Sequence, residues 1–295
     1  MEDVIHTKRK GARGKKRISP FLAAVMLFLL VWAAIFLLLS FWLVMNSFKQ
    51  STQYKNFAAG GSLALPAPIT AESYAQAFTQ LSSFGFGVPL MVFNSLWRVI
   101  GSILVAQACA NAVAYCLAFY KFPGRNAIYW TIIVMMMLPI YGTMPAQLKL
   151  YKNLNIYDSP GILISAIGIG GALIPYSCFK GVSRTYAEAA FIDGAGHFTV
   201  FFKVMLPQMI PVITALAVSA FIGGWNDYMN TIVFMPSYPT LATGIYYYQQ
   251  VVVGRSGDYP VLFAAVVMSV IPVLALFLGF QKTLLNLDIS GGLKG

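Results

Sequence analysis

Residues 21–45 run for 25 positions without a charged side chain. At 1.5 Å of rise per residue a helix of that length spans roughly 38 Å, more than the ~30 Å hydrocarbon core of a bilayer. In lipid every backbone N–H and C=O must be paired within the chain, so such a run folds as a helix. Five further segments are also long and apolar enough to span: 90–120, 127–148, 160–180, 204–235 and 261–280. Pro139 and Pro145 interrupt the third and Pro175 the fourth, which neighbouring helices tolerate by satisfying the freed carbonyls. Charged residues are 10% of the chain against about 25% in a soluble domain, too few to clothe a water-facing surface.

The net charge of +11 is distributed unevenly. Seven of the twenty Lys/Arg lie between Lys8 and Arg17, directly ahead of the first apolar run, and no nucleic-acid-binding motif accompanies them. The tail, the 121–126 and 180–203 loops and the C-terminal tail together hold fourteen Lys/Arg, and the three opposite loops hold five. Positive charge marks the cytoplasmic side. The expected fold is therefore an all-α membrane protein of six transmembrane helices with both termini cytoplasmic. The first run is too long for a signal-peptide core of about 7–15 residues. The organisation expected is a basic tail over 1–19, a first helix over 20–45 and an extracytoplasmic loop over 46–89. A five-helix core over 90–280 and a cytoplasmic tail over 281–295 follow. The 46–89 segment reads as a linker, with a short helix starting near Ser73.

Cys109, Cys116 and Cys178 lie in or beside apolar stretches without metal-ligand spacing, and His6 and His197 are isolated, so neither a metal centre nor a catalytic residue is expected. The chain has no Gly-x4-Gly-Lys-Ser/Thr loop for ATP.

The cytoplasmic loop at 183–207 carries the most information. Thr185 followed by Glu188 has the spacing of a capping box, 186–192 suffices for two helical turns, and Gly194 supplies a positive-φ stop. A second amphipathic stretch leads into Leu206-Pro207. By physics alone this is either a plain linker between spans or a rigid knob suited to a partner's groove.

Glu188-Ala189-Ala190, Asp193-Gly194-Ala195 and Val204-Met205-Leu206-Pro207 resemble the EAA loop of ATP-binding-cassette importer permeases. That pattern is Glu-Ala-Ala, a glycine four residues after the last alanine, and an Ile/Val-x-Leu-Pro ending. Trp225-Asn226-Asp227 and the Gly291-to-Gly295 tail are similar to motifs of the carbohydrate-uptake branch, closest to the six-span maltose-type subunit. The resemblance implies a type I importer fold in which Glu188, Ala189, Ala190, Asp193, Gly194 and Ala195 dock on a separate ATPase, with Lys294 reaching the same interface. It also implies a second permease subunit forming a heterodimer, two ATPase subunits that bind ATP and Mg, an extracytoplasmic substrate-binding protein, and residence in a bacterial inner membrane. No cofactor is expected in this chain, and no nucleic acid as partner.

Polar groups inside apolar spans need a reason. A continuous helix from Pro207 lifts Asp227 about 30 Å, toward the outer leaflet, unless Gly223-Gly224 breaks it. There Trp225, Asn226 and Asp227 either line a sugar path, with Trp225 as a stacking face, or anchor the interface, or touch the binding protein. Gln107 and Asn111 are four apart on one helical face and either bond another helix or line the path. Arg98 reads as snorkelling to the interface. An ion-coupled carrier needs several intramembrane carboxylates, whereas Asp227 is the one candidate, and neither that class nor a membrane-embedded enzyme explains 188–207. Import of a non-carbohydrate solute is the remaining alternative.

Overall fold

The computed structural model describes residues 19–81, 85–138 and 142–285. The basic tail, Pro139 and Lys294 with its glycine-rich neighbours lie outside them. Among the described residues every regular element is helical.

Helix α1 (Pro20–Ser47) starts where the Ser19 hydroxyl accepts the Leu22 N–H at 3.2 Å, with Pro20 at its first turn. Its apolar side chains are exposed on all sides as far as Phe41. Only its last turn is buried, at Met45, Asn46 and Ser47. A helix apolar all round and uncovered has lipid or another subunit as its solvent.

The segment that follows is a packed cap, where a linker was expected. It contains α2 (Ser51–Lys55) and α3 (Glu72–Gln80), the latter at the predicted place. Lys49 is fully buried and donates from Nζ to the Gly61 carbonyl at 2.8 Å, and Ser73 Oγ donates to the Lys49 carbonyl at 2.9 Å. Burial pushes the Lys49 ammonium below its ordinary value. Ser51 donates to Asp258 across the cap. Local reading missed these partners because they lie far along the chain.

Helix α4 (Val88–Phe119), 32 residues long, is the mast of the molecule. Its first turns join a core with Leu81, Trp225, Leu241 and Val261. Its last turns join a second core with Phe179, Ala187, Val200 and Met205. Next come α5 (Arg125–Met137) and α6 (Met144–Asn153), then a 3-10 turn (Pro160–Ala166) leading to α7 (Leu173–Gly181). The loop helices α8 (Thr185–Ile192) and α9 (His197–Gln208) precede α10 (Ile210–Trp225) and α11 (Met229–Phe234). A kinked helix α12 (241–256) and α13 (Tyr259–Leu285), with Pro272 inside it, complete the chain.

By length and composition α1, α4 and α13 are each able to cross a membrane. Two bent pairs raise the count to five: Pro160–Ala166 with Gly170–Gly181 at 55°, and His197–Gln208 with Ile210–Trp225 at 71°. The expected span over 127–148 does not form one helix. Its 13-residue first part, α5, is only about 20 Å long and ends before the Pro139 and Pro145 positions.

Candidate functional site: a helical loop and a polar break

The loop begins as Val182 turns to extended backbone. Thr185 is the first residue of α8, so its hydroxyl cannot cap that helix; the preceding residue, Arg184, already has helical φ/ψ and no side-chain cap. Ser183 Oγ instead accepts the Thr185 N–H at 3.4 Å and shares a 2.8 Å hydroxyl contact with Thr185. The capping box therefore does not form, and the Glu188 carboxylate is exposed and makes no hydrogen bond to any described residue.

The other end matches expectation. Gly194 sits at φ +80°. Its N–H donates to the Phe191 carbonyl at 3.0 Å and that of Ala195 to the Ala190 carbonyl at 2.9 Å. These two bonds are the Schellman pair, with Ala190 and Ala195 half-buried together beneath the turn. Among the residues singled out on this loop, Glu188, Ala189, Asp193 and Gly194 face solvent. Ala187, at 3% exposure, is the inward anchor. Tyr186, Ile192 and Phe198 add exposed apolar shoulders to the knob.

Two residues not singled out from the sequence fasten the loop to α4. Arg184 Nη2 donates to the Ala118 carbonyl at 3.2 Å, and its guanidinium lies 5.8 Å over the Phe119 ring. A cation at orphan carbonyls of a helix C-terminus is favourable. The His197 Nδ1 and the Tyr120 hydroxyl share a hydrogen bond of 2.9 Å, and the His197 ring packs edge-on to Phe191 at 5.0 Å. Their signal was limited to type, a cation and an aromatic near the loop's ends. Beyond His197 the helix widens into a π-turn at Val200–Met205, a feature frequent at functional sites.

The polar break lies between α10 and α11. Helix α10 runs through Gly223-Gly224 and stops at Trp225. The Trp225 ring is 2% exposed, stacked on Phe221 at 5.5 Å, and its Nε1 donates to the Ser269 carbonyl at 3.0 Å. It is packed inward, at the back of a cleft whose wall also carries Asn226, Tyr228, Tyr246, Gln249 and Gln250. Asn226 is exposed and returns its amide to the Ile222 carbonyl at 2.8 Å. Asp227 restarts the helix, accepting from the Asn230 backbone at 3.1 Å and side chain at 2.9 Å.

Arg98 does not snorkel. Its Nη2 lies 2.6 Å from Asp227 Oδ2, with both side chains mostly buried. The pair ties α4 to the break. Gln107 and Asn111 bond one another within α4, Asn111 Nδ2 donating to the Gln107 carbonyl at 2.8 Å and to Oε1 at 3.2 Å. The buried Asn111 Oδ1 has no partner among the described residues. At 100° per residue Gln107 lies about 180° around α4 from Arg98, so the two polar groups do not share a face.

Residues 110–285 match the family described as binding-protein-dependent transport system inner membrane component. The diacetylchitobiose uptake permease NgcG of Streptomyces coelicolor is 28% identical over 93% of this chain and 88% of its own. The arabinooligosaccharide transport permease AraQ of Halalkalibacterium halodurans is 27% identical over 95% of this chain and 100% of its own. In fold, a chain of a bacterial ABC transporter that imports the acidic polysaccharide alginate superposes with TM-score 0.74 at 21% identity, covering 89% of this chain and 95% of that one. A match that spans more than half of the chain, from the last turns of α4 through α13 and including the whole loop, makes this protein a member of the binding-protein-dependent transport system inner membrane component family.

Proposed function

We propose that this chain is the membrane permease of an ATP-driven importer of a sugar or oligosaccharide, moved by a separate ATPase that grips the 183–207 loop. The observation that carries the docking is α8 itself. It is a short helix closed by a Schellman turn, with an unengaged carboxylate at Glu188 and apolar shoulders at Ile192 and Phe198. Ala189, Asp193 and Gly194 complete the contact face, Ala190 and Ala195 support it from beneath, and Lys294 joins it from the C-terminal tail. Relatives named for diacetylchitobiose and arabinooligosaccharide uptake support a carbohydrate cargo.

In this reading six spans hold both termini in the cytoplasm of a bacterial inner membrane. The third span is the broken pair α5 and α6. The complex contains a second permease, two ATPase subunits binding ATP and Mg, and an extracytoplasmic binding protein. Closure of the ATPase pair displaces α8. Arg184 and His197 deliver that displacement to the cytoplasmic end of α4, whose outer half holds the α10–α11 break through Arg98. The helices thereby exchange inward- and outward-open arrangements. Asn226 and Asp227 border the sugar path with Trp225 behind them, while Gln107 and Asn111 bond one another on the opposite face of α4 and stand off that path.

The test is uptake by proteoliposomes holding the complete complex and its binding protein. ATP-dependent accumulation of a neutral oligosaccharide supports the proposal. Uptake that follows an imposed sodium or proton gradient without ATP refutes it.

A further inference from the structure

Three interrupted elements meet on one side of α4. The 3-10 turn Pro160–Ala166 bends away from the helix after it, α11 restarts beyond the break at 226–228, and α6 begins anew after α5. Irregular backbone at membrane depth persists where it is buried in protein or lines a cavity. A cavity is what these elements enclose, of about 300 Å³, with Arg98, Ser102, Gln147, Tyr151, Ser165 and Asn230 in its wall. Arg98 is ten residues beyond Val88, so the cavity opens about 15 Å from the start of α4, roughly a third of the way along that 32-residue helix.

The wall carries unspent hydrogen-bonding capacity of both signs. The hydroxyls of Tyr151 and Ser165 have no partner among the described residues. Gln147 uses its amide nitrogen on the Thr143 hydroxyl at 3.3 Å, which leaves Oε1 free to accept. Asn230 uses its nitrogen on Asp227, leaving its Oδ1 as a second acceptor. Ser102 donates to the Val99 carbonyl at 2.9 Å and keeps its lone pairs. Donors and acceptors interleaved at this density match sugar hydroxyls, each of which does both. Among the described residues no carboxylate lines the cavity and Arg98 is its single cation, neutralised from behind by Asp227. The volume is at the lower bound of small-molecule pockets, enough for one ring and not for a whole oligosaccharide.

We propose that this cleft between α4, α6, the 160–166 turn and α11 is a subsite for one neutral glycosyl unit in transit, held by Gln147, Tyr151 and Ser165. The proposal rests on the carbohydrate-import reading. It puts sugar contacts within this subunit, on the Arg98 face of α4, away from Gln107 and Asn111 and not on the Trp225 ring.

The experiment uses the complete complex with its binding protein in proteoliposomes, and diacetylchitobiose, arabinotriose and maltotriose as probes. For whichever probe the unmodified complex imports, Tyr151→Phe and Ser165→Ala, which each remove one hydroxyl, are expected to slow uptake about fivefold. The Gln147→Leu/Tyr151→Phe pair is expected to slow it by at least about tenfold. Co-purification of the variant with its partners establishes assembly, and the two single changes serve if the pair does not assemble. Uptake within about twofold of the unmodified complex in both single variants overturns the subsite while leaving the import reading intact. Preferential uptake of an oligouronate by the unmodified complex overturns the neutral specificity. Import of none of the neutral probes overturns the carbohydrate reading, and the subsite falls with it.

Discussion

Arg98 and Asp227 lie 129 positions apart and meet at 2.6 Å. Asp227→Asn keeps one oxygen to accept the Asn230 N–H but leaves the Arg98 guanidinium uncompensated in a largely buried site. The expected cost is about 2 kcal/mol, read as a lower thermal midpoint of the detergent-solubilised complex. Combining it with Arg98→Met is expected to recover most of that loss, since the stranded charge is then gone; additive losses contradict the pairing. Lys49 makes a pH prediction. Its ammonium is held below the ordinary value of 10.5 by burial, so the folded cap binds fewer protons than the unfolded chain. Stability from this group is complete above 10.5 and is lost as pH falls through the depressed value. The stability of the unmodified protein should therefore rise with pH as 10.5 is approached from neutrality, and Lys49→Met should flatten that rise. An equal slope in both contradicts the assignment. At this scale the sequence revealed residue types more readily than partners. Asp227 and Arg98 stood out as costly charges within apolar runs, yet their pairing depends on how two distant helices pack. Glu188 was legible by spacing. Its freedom from capping was not, because one residue's difference in where α8 starts decides it.

At the scale of elements, the loop was the most readable part, since a positive-φ glycine and an Ala-rich turn are local physics. Gly194 tests that physics directly. Proline locks φ near −65° and removes the N–H that Phe191 accepts, so Gly194→Pro is expected to release the ATPase. Asparagine tolerates the left-handed region, so Gly194→Asn is expected to retain most of it, as judged by co-purification. Reversed results contradict the Schellman closure as the reason for this glycine. Arg184→Ala and His197→Ala, by contrast, cut the loop from α4 and leave its outer face intact. ATP hydrolysis in the assembled complex is expected to persist while uptake drops severalfold, a ratio that simple misfolding does not change in that direction. Helix ends and breaks were less legible. The run over 127–148 is apolar enough to span, but its prolines remove ladder hydrogen bonds and α5 stops at Met137. Composition alone does not tell a kinked span from two helices. The Gly223-Gly224 pair looked like a break, yet α10 passes through it, and Gly224 lets Val99 of α4 pack close against the helix.

For the molecule as a whole, α4 joins two cores, with the cap on one and α8 on the other. In the proposed transport cycle that arrangement lets force enter at the α8 knob and act at the polar cleft near the other end of α4. The membrane class was evident from apolar run lengths. The packed cap was not, because its cohesion comes from partners 12 to 207 positions apart, Lys49 with Gly61, Ser73 with Lys49 and Ser51 with Asp258. The bare face of α1 fits a chain completed by lipid and by a second permease. The central claim, that a separate ATPase holds this chain through α8, is tested most directly by Glu188. With all subunits co-expressed, the ATPase should co-purify with the unmodified chain and with Glu188→Gln at a reduced level. It should be lost on Glu188→Lys, while the permease still reaches the membrane and retains its thermal midpoint. Undiminished ATPase in the Glu188→Lys complex would contradict the account.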